Sequence, residues 1–95
     1  MMSQHSFKAV TKDGQKVYVL MGYDRPLNYV FCVVNTEEGA FVYSNLSDPQ
    51  AGINRKDVDY YRQILLQLGI QAPESVFEAV KADQQEKRGN RYVQH

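Results

Sequence analysis

Residues 29–34, "YVFCVV", are apolar at every position. A strand in an antiparallel sheet covered on one side alternates apolar with polar residues, because successive side chains point to opposite faces. This run has no such alternation. It is also far shorter than the ~20 residues that span a bilayer, so it reads as a strand that needs cover above and below. Tyr18, Leu20, Phe41 and Tyr43 add apolar surface on both faces of its neighbours. Whether a chain of 95 residues can hide that surplus is the question its sequence poses. Such a length suits one domain, residues 1–95, since a self-sufficient core needs roughly 50 residues or more.

The elements around the run follow from local chemistry. "SFKAVTK" and "QKVYVLM" flank Asp13-Gly14, and an Asp-Gly pair between alternating runs is a hairpin signal because glycine accepts the positive φ of a tight turn. A two-residue loop there pairs Val10 with Val17 and Phe7 with Leu20. "LNYVFCVVN" and "AFVYSN" are joined by "TEEG", a polar, permissive turn, with Thr36 belonging either to loop or to strand.

After Asn45 the pattern changes. "NLSDPQAGINRK" reads as a polar connection. "DVDYYRQILLQLGI" has helical spacing, with Val58, Tyr61, Ile64, Leu65 and Leu68 on one stripe, Asp57 as N-cap and Gly69 just past the end. A second helix starts at Pro73 and buries Val76, Phe77 and Val80. "KADQQEKRGN" reads as solvated final turns stopped by Gly89 and Asn90, and the tail "RYVQH" either frays or docks as a fifth strand. The order β-β-β-β-α-α argues for α+β: a four-stranded antiparallel meander with two α-helices packed on one face.

Residues 22–27, "GYDRPL", form a stiff corner. Pro26 fixes its own φ and pushes Arg25 out of the helical region. Its plain reading is a strand connection in which Asp24 bonds nearby backbone amides. The alternative is that it presents Tyr23, Asp24 and Arg25 together, a ring beside a carboxylate and a guanidinium fork, as the site of a small-ligand binder or an enzyme, with Tyr43 or Asn45 as neighbours. "GYDRPL" leading into an apolar strand, then "YSNL", then a helix ending in "LGI" before a proline, resembles a family of small bacterial proteins with no assigned activity. That resemblance implies a small α+β fold and transfers no site residues.

Other chemistries lack their constellations. His5 and His95 lie at opposite ends, where histidines are usually solvated, and neither has metal-ligand spacing with Cys32 or a carboxylate cluster, so no metal and no cofactor is expected. Cys32 inside an apolar run reads as a packed thiol, and a lone cysteine fits a reducing cytoplasm. Ser44 and Ser47 have no nucleophile context. Asp57 and Asp59 diverge around a helix and serve its N-terminus. "EGAFVY" has acids where the aromatic RNA-binding pattern needs a base. Lys81, Lys87, Arg88 and Arg91 alternate with Asp83 and Glu86, as on a solvated helix end.

Eleven basic residues balance eleven acidic ones, so no net field draws in nucleic acid or an anionic membrane. The N-terminus shows neither the charge nor the apolar stretch of a signal peptide. The expectation is therefore a cytoplasmic, non-catalytic interaction module. It binds a protein partner or itself, as a homodimer, through an aromatic sheet face bearing Tyr18, Tyr29, Phe31 and Tyr43.

Overall fold

The computed structural model describes residues 2–53, 57–87 and 91–95. Four strands come first: β1 (Met2–Val10), β2 (Lys16–Asp24), β3 (Tyr29–Thr36) and β4 (Phe41–Ser44). A 3-10 turn (Asn45–Ser47) leads into α1 (Pro49–Ile53), α2 (Val58–Gln67), α3 (Glu74–Glu86) and finally β5 (Arg91–Gln94). The sheet order is β4-β3-β2-β1-β5, antiparallel except that β5 lies parallel to β1. The fold is α+β, as expected, with a mixed five-stranded sheet and three helices in place of a purely antiparallel sheet and two. The tail becomes a parallel strand because α3 carries the chain back along the sheet, so β5 starts at the same end as β1.

The first hairpin corrects the register read from Asp13-Gly14. Its loop is five residues, 11–15, closed by the Thr11 and Gln15 backbones (N···O 2.9 Å) and by Gln15 N–H donating to Thr11 Oγ1 at 3.2 Å. Ala9 faces Val17, and Phe7 faces Val19 rather than Leu20. Because side chains alternate, that one-residue difference decides which residues enter the core. It brings Phe7, Val17 and Val19 onto the same buried face. Thr36 belongs to β3 and closes the next turn, receiving Gly39 N–H on its carbonyl at 3.0 Å. A bulge between Val34 and Asn35 then alters the facing of β4.

Helix ends form where the residue chemistry places them. Asp57 caps α2 by accepting Tyr60 N–H at 3.2 Å. Gly69, at φ +76, lets the chain leave the helix in the left-handed conformation. Lys12 N–H donates to Leu68 O at 3.0 Å, so the first hairpin loop caps the carbonyl end of α2. Pro73 is the N-cap of α3 rather than its first residue, and Lys87 ends α3 at φ 53. Gly89 and Asn90, the expected stop, lie outside the described residues. α1 falls inside the stretch read as a polar connection; there Pro49 follows Asp48, whose Oδ1 accepts Gln50 N–H at 3.0 Å.

The core lies between one sheet face and the helices. Phe7, Val17, Val19, Met21, Val30, Cys32 and Val34 from the sheet meet Val58, Tyr61 and Leu65 of α2, Ile70, and Val76, Phe77 and Val80 of α3. Burying such side chains contributes about 1.5–3 kcal/mol each, which makes this layer the main source of stability. Among the described residues, no helix is long and apolar enough to cross a membrane.

Candidate functional site

The corner at 22–27 is built differently from a presented trio. Tyr23 is fully buried on the helix side of β2, and its hydroxyl donates to Asn28 Oδ1 at 2.6 Å. Asn28 takes φ 52 to complete the turn, and its N–H reaches Arg25 O at 3.2 Å. Asp24 Oδ1 accepts Leu27 N–H at 3.2 Å, the local bond that suits an aspartate in a turn. Arg25 is exposed. The structure thus separates the Tyr23 ring from Arg25.

The neighbours suggested for that corner are engaged elsewhere. Asn45 is buried and accepts Cys32 N–H at 3.3 Å. Tyr43 and Tyr60 both donate to Asp48 Oδ2, at 2.7 and 2.6 Å. These bonds, from Tyr60 first and then Tyr43, hold the Asp48 carboxyl below its usual range. The cluster ties β4 to α2.

The sheet face opposite the helices carries Gln4, Ser6, Lys8 and Val10 from β1, and Lys16, Tyr18, Leu20, Gly22 and Asp24 from β2, alternating with the buried set. β3 adds Tyr29, Phe31, Val33 and Asn35, β4 adds Phe41, and β5 adds Tyr92. Of the four residues expected on one aromatic face, Tyr18 is 43% exposed and Tyr29 half-buried, while Phe31 is only 6% exposed because its ring lies against Gly22. Tyr43 is on the other face. It pairs with Val34 because of the bulge, and packs edge-on to Tyr61 with ring centroids 6.4 Å apart. Phe41, at 72%, and Tyr92, at 59%, take exposed places on the open face instead. A cleft of about 580 Å³ crosses that face, lined among others by Ser6, Tyr18, Leu20 and Tyr92. Lys8 Nζ stands 5.7 Å from the Tyr18 ring centroid.

The third grouping was not visible in the sequence. His5, expected in solvent, is fully buried on the helix side of β1, and Asp83, expected on a solvated helix end, is fully buried on α3. His5 Nε2 meets Asp83 Oδ2 at 2.6 Å, and His5 Nδ1 meets His95 Nε2 at 2.9 Å. His95 Nδ1 in turn meets Ser75 Oγ at 3.0 Å. Arg91 donates to Asp83 Oδ1 at 2.9 Å. Burial opposes ionisation of Asp83, but bonds from His5 and Ser3 and the charges of His5 and Arg91 outweigh it and hold its carboxyl below the usual range. His95 is lowered too, by burial first and then by the charges of His5 and Arg91.

The two histidines stand 90 positions apart in sequence. Only the parallel pairing of β5 with β1, which sets Val93 beside His5, brings them together. The available hint was parity: His5 alternates with Ser3 and Phe7 on the side of β1 that enters the core.

Cys32 is fully buried and its thiol is pushed up to about 12 by burial, consistent with a packing role. Among the described residues, no group of three His, Cys, Asp or Glu could hold a metal ion. Comparison with protein-family models, with curated proteins and with solved structures found no match.

Proposed function

We propose that this protein is an association module that pairs with a second copy of itself through the open sheet face. The observation carrying this reading is the exposure of Tyr18, Phe41 and Tyr92, at 43%, 72% and 59%, around half-buried Leu20 and Val33 on one surface. Exposed aromatic rings grouped on one sheet face are uncommon on a monomer and common at interfaces.

A second copy fits better than an unrelated partner because the face complements itself. Along β2 its open row runs Lys16, Tyr18, Leu20, Gly22, Asp24, positive at one end and negative at the other. Two copies stacked with their β2 strands antiparallel put Leu20 on Leu20 and Lys16 opposite Asp24, while Tyr18 falls over the Phe31 ring that lies against Gly22. The pair of attractions at the ends fixes register, and the middle excludes water. Strands spaced about 4.8 Å apart, with β1 to β3 about 30 Å long and β4 and β5 less than half that, give a face of roughly 550 Å². That is comparable to the ~800 Å² per partner of an ordinary specific interface.

Light scattering over a concentration series tests this reading, with Leu20→Lys as control. The intact protein is expected to approach twice 10.9 kDa. Leu20→Lys should remain monomeric with an unchanged circular-dichroism spectrum, because Leu20 lies outside the helix-facing core. A monomer at every concentration removes the proposal.

A further inference from the structure

Ser75, His95, His5 and Asp83 form one unbroken chain of hydrogen bonds from the surface to a buried carboxylate. An ionised carboxylate accepts only, so His5 Nε2 must carry the proton that faces Asp83. With both histidines neutral, His5 Nδ1 is then bare and accepts from His95 Nε2–H, which leaves His95 Nδ1 bare and facing the Ser75 hydroxyl. In that neutral state the exposed end is a base aimed at a serine, whereas a proton on His5 Nδ1 reverses both bonds and turns His95 Nδ1–H toward Ser75.

The surroundings of Ser75 suit a nucleophile. It lies in the first turn of α3 and is exposed. Pro73, the N-cap, offers no side-chain acceptor to that turn, and Val76 N–H is taken by the Pro73 carbonyl at 3.1 Å. The neighbouring Glu74 carboxylate is drawn away by a two-pronged bond to Arg62, at 2.7 and 2.8 Å, and does not compete there.

We propose that Ser75 is a nucleophile, with His95 as its general base, that accepts acyl groups from small esters. Ser75 Oγ attacks the ester carbonyl carbon as its proton passes to His95 Nδ1, and the carbonyl π pair moves onto oxygen. Collapse of the adduct breaks the bond to the alkoxy group, which leaves as an alcohol with the proton from His95. Water repeats the sequence on the acyl-serine, releases the carboxylic acid and restores Ser75. While His95 holds the extra proton at Nδ1, its Nε2 proton can shift to His5 Nδ1, placing the positive charge on His5 against Asp83. His5 and Asp83 are thus positioning residues. The exposed site suits short acyl groups that need no binding groove, and the proposal is independent of the open sheet face.

The groups around His95 also favour its neutral form at neutral pH. They are His5 of β1, with Asp83 of α3 behind it, and Arg91 of β5; with His5 neutral, burial of the His95 ring comes first and the charge of Arg91 adds to it in lowering the pKa. The rate of reaction should accordingly rise through one ionisation below 6.5 and then level off.

The test treats the intact protein with a fluorophosphonate and with p-nitrophenyl acetate, and maps adducts by mass spectrometry. One adduct is expected, on Ser75, with no labelling of that peptide in Ser75→Ala and labelling about 10²-fold slower in His95→Gln. Ser75 is exposed, so Ser75→Ala should keep the wild-type melting temperature, and circular dichroism checks that His95→Gln, which loses a contact to β1, stays folded under the labelling conditions. Three results overturn the proposal: no adduct, adducts scattered over several hydroxyls, or a rate and pH profile unchanged in His95→Gln. Any of them would leave the cluster as a clamp for β5 only.

Discussion

Gly22 is the residue with the least room to change. A Cβ there collides with the Ser3 carbonyl and comes within 2.8 Å of the Phe31 ring. Backbone on one side and a packed ring on the other leave nothing cheap to move, so Gly22→Ala should cost about 3 kcal/mol or more, at the upper end for overpacking. Urea denaturation of the two proteins measures it, and a change near zero would mean that Ser3 and Phe31 are not so placed. Cys32 makes a second case. Its thiol is fully buried and raised to about 12, so a thiol reagent at mildly alkaline pH should react with the unfolded chain and spare the native one. Prompt native labelling would contradict the packing of β3 against Tyr61.

At the scale of elements, β5 is held by groups whose protonation changes in acid. His95 in the folded chain has a pKa below the ordinary 6.5, so the unfolded chain binds a proton more readily. Its contribution is complete above 6.5 and is lost as the pH falls below that value. Asp83, also lowered, contributes above its ordinary 3.8 and loses that contribution as the pH falls further, through its folded pKa. Amide exchange at β5, corrected for intrinsic rate, should therefore speed up between about pH 7 and pH 5 relative to β2 and β3. Equal acceleration in all strands would count against this. Removing the buried carboxylate with Asp83→Ala leaves His5 and Arg91 without their partner and should cost about 3–5 kcal/mol. Elements governed by neighbours in sequence were legible beforehand: the Asp57 cap, the stripe Val58, Tyr61 and Leu65, and the turn at Gly39. Those governed by distant pairing were not. The register of Phe7 was set by which residues reach the core. The bulge that turned Tyr43 inward, and the parallel seat of β5 that buried His5, each needed a partner strand to be known.

For the whole molecule, the apolar surplus of residues 29–34 divides into two fates. Val30, Cys32 and Val34 go under the helices, while Phe31 and Val33 go to the other side, where Leu20, Tyr18, Phe41 and Tyr92 extend the surface. That division was readable from parity alone; which aromatic rings stay in solvent was not, because Gly22 shelters Phe31 and the bulge withdraws Tyr43. The proposed association sets the opposite charges at the two ends of this face's central row against those of an antiparallel copy. The most direct measurement mixes isotope-labelled and unlabelled protein and records nuclear Overhauser effects between chains. Contacts are expected from Leu20 to Leu20 and from Tyr18 to the Gly22 region, with none from α2 or α3. A concentrated sample that gives no contacts between chains, or gives them from the helices, contradicts association through the sheet.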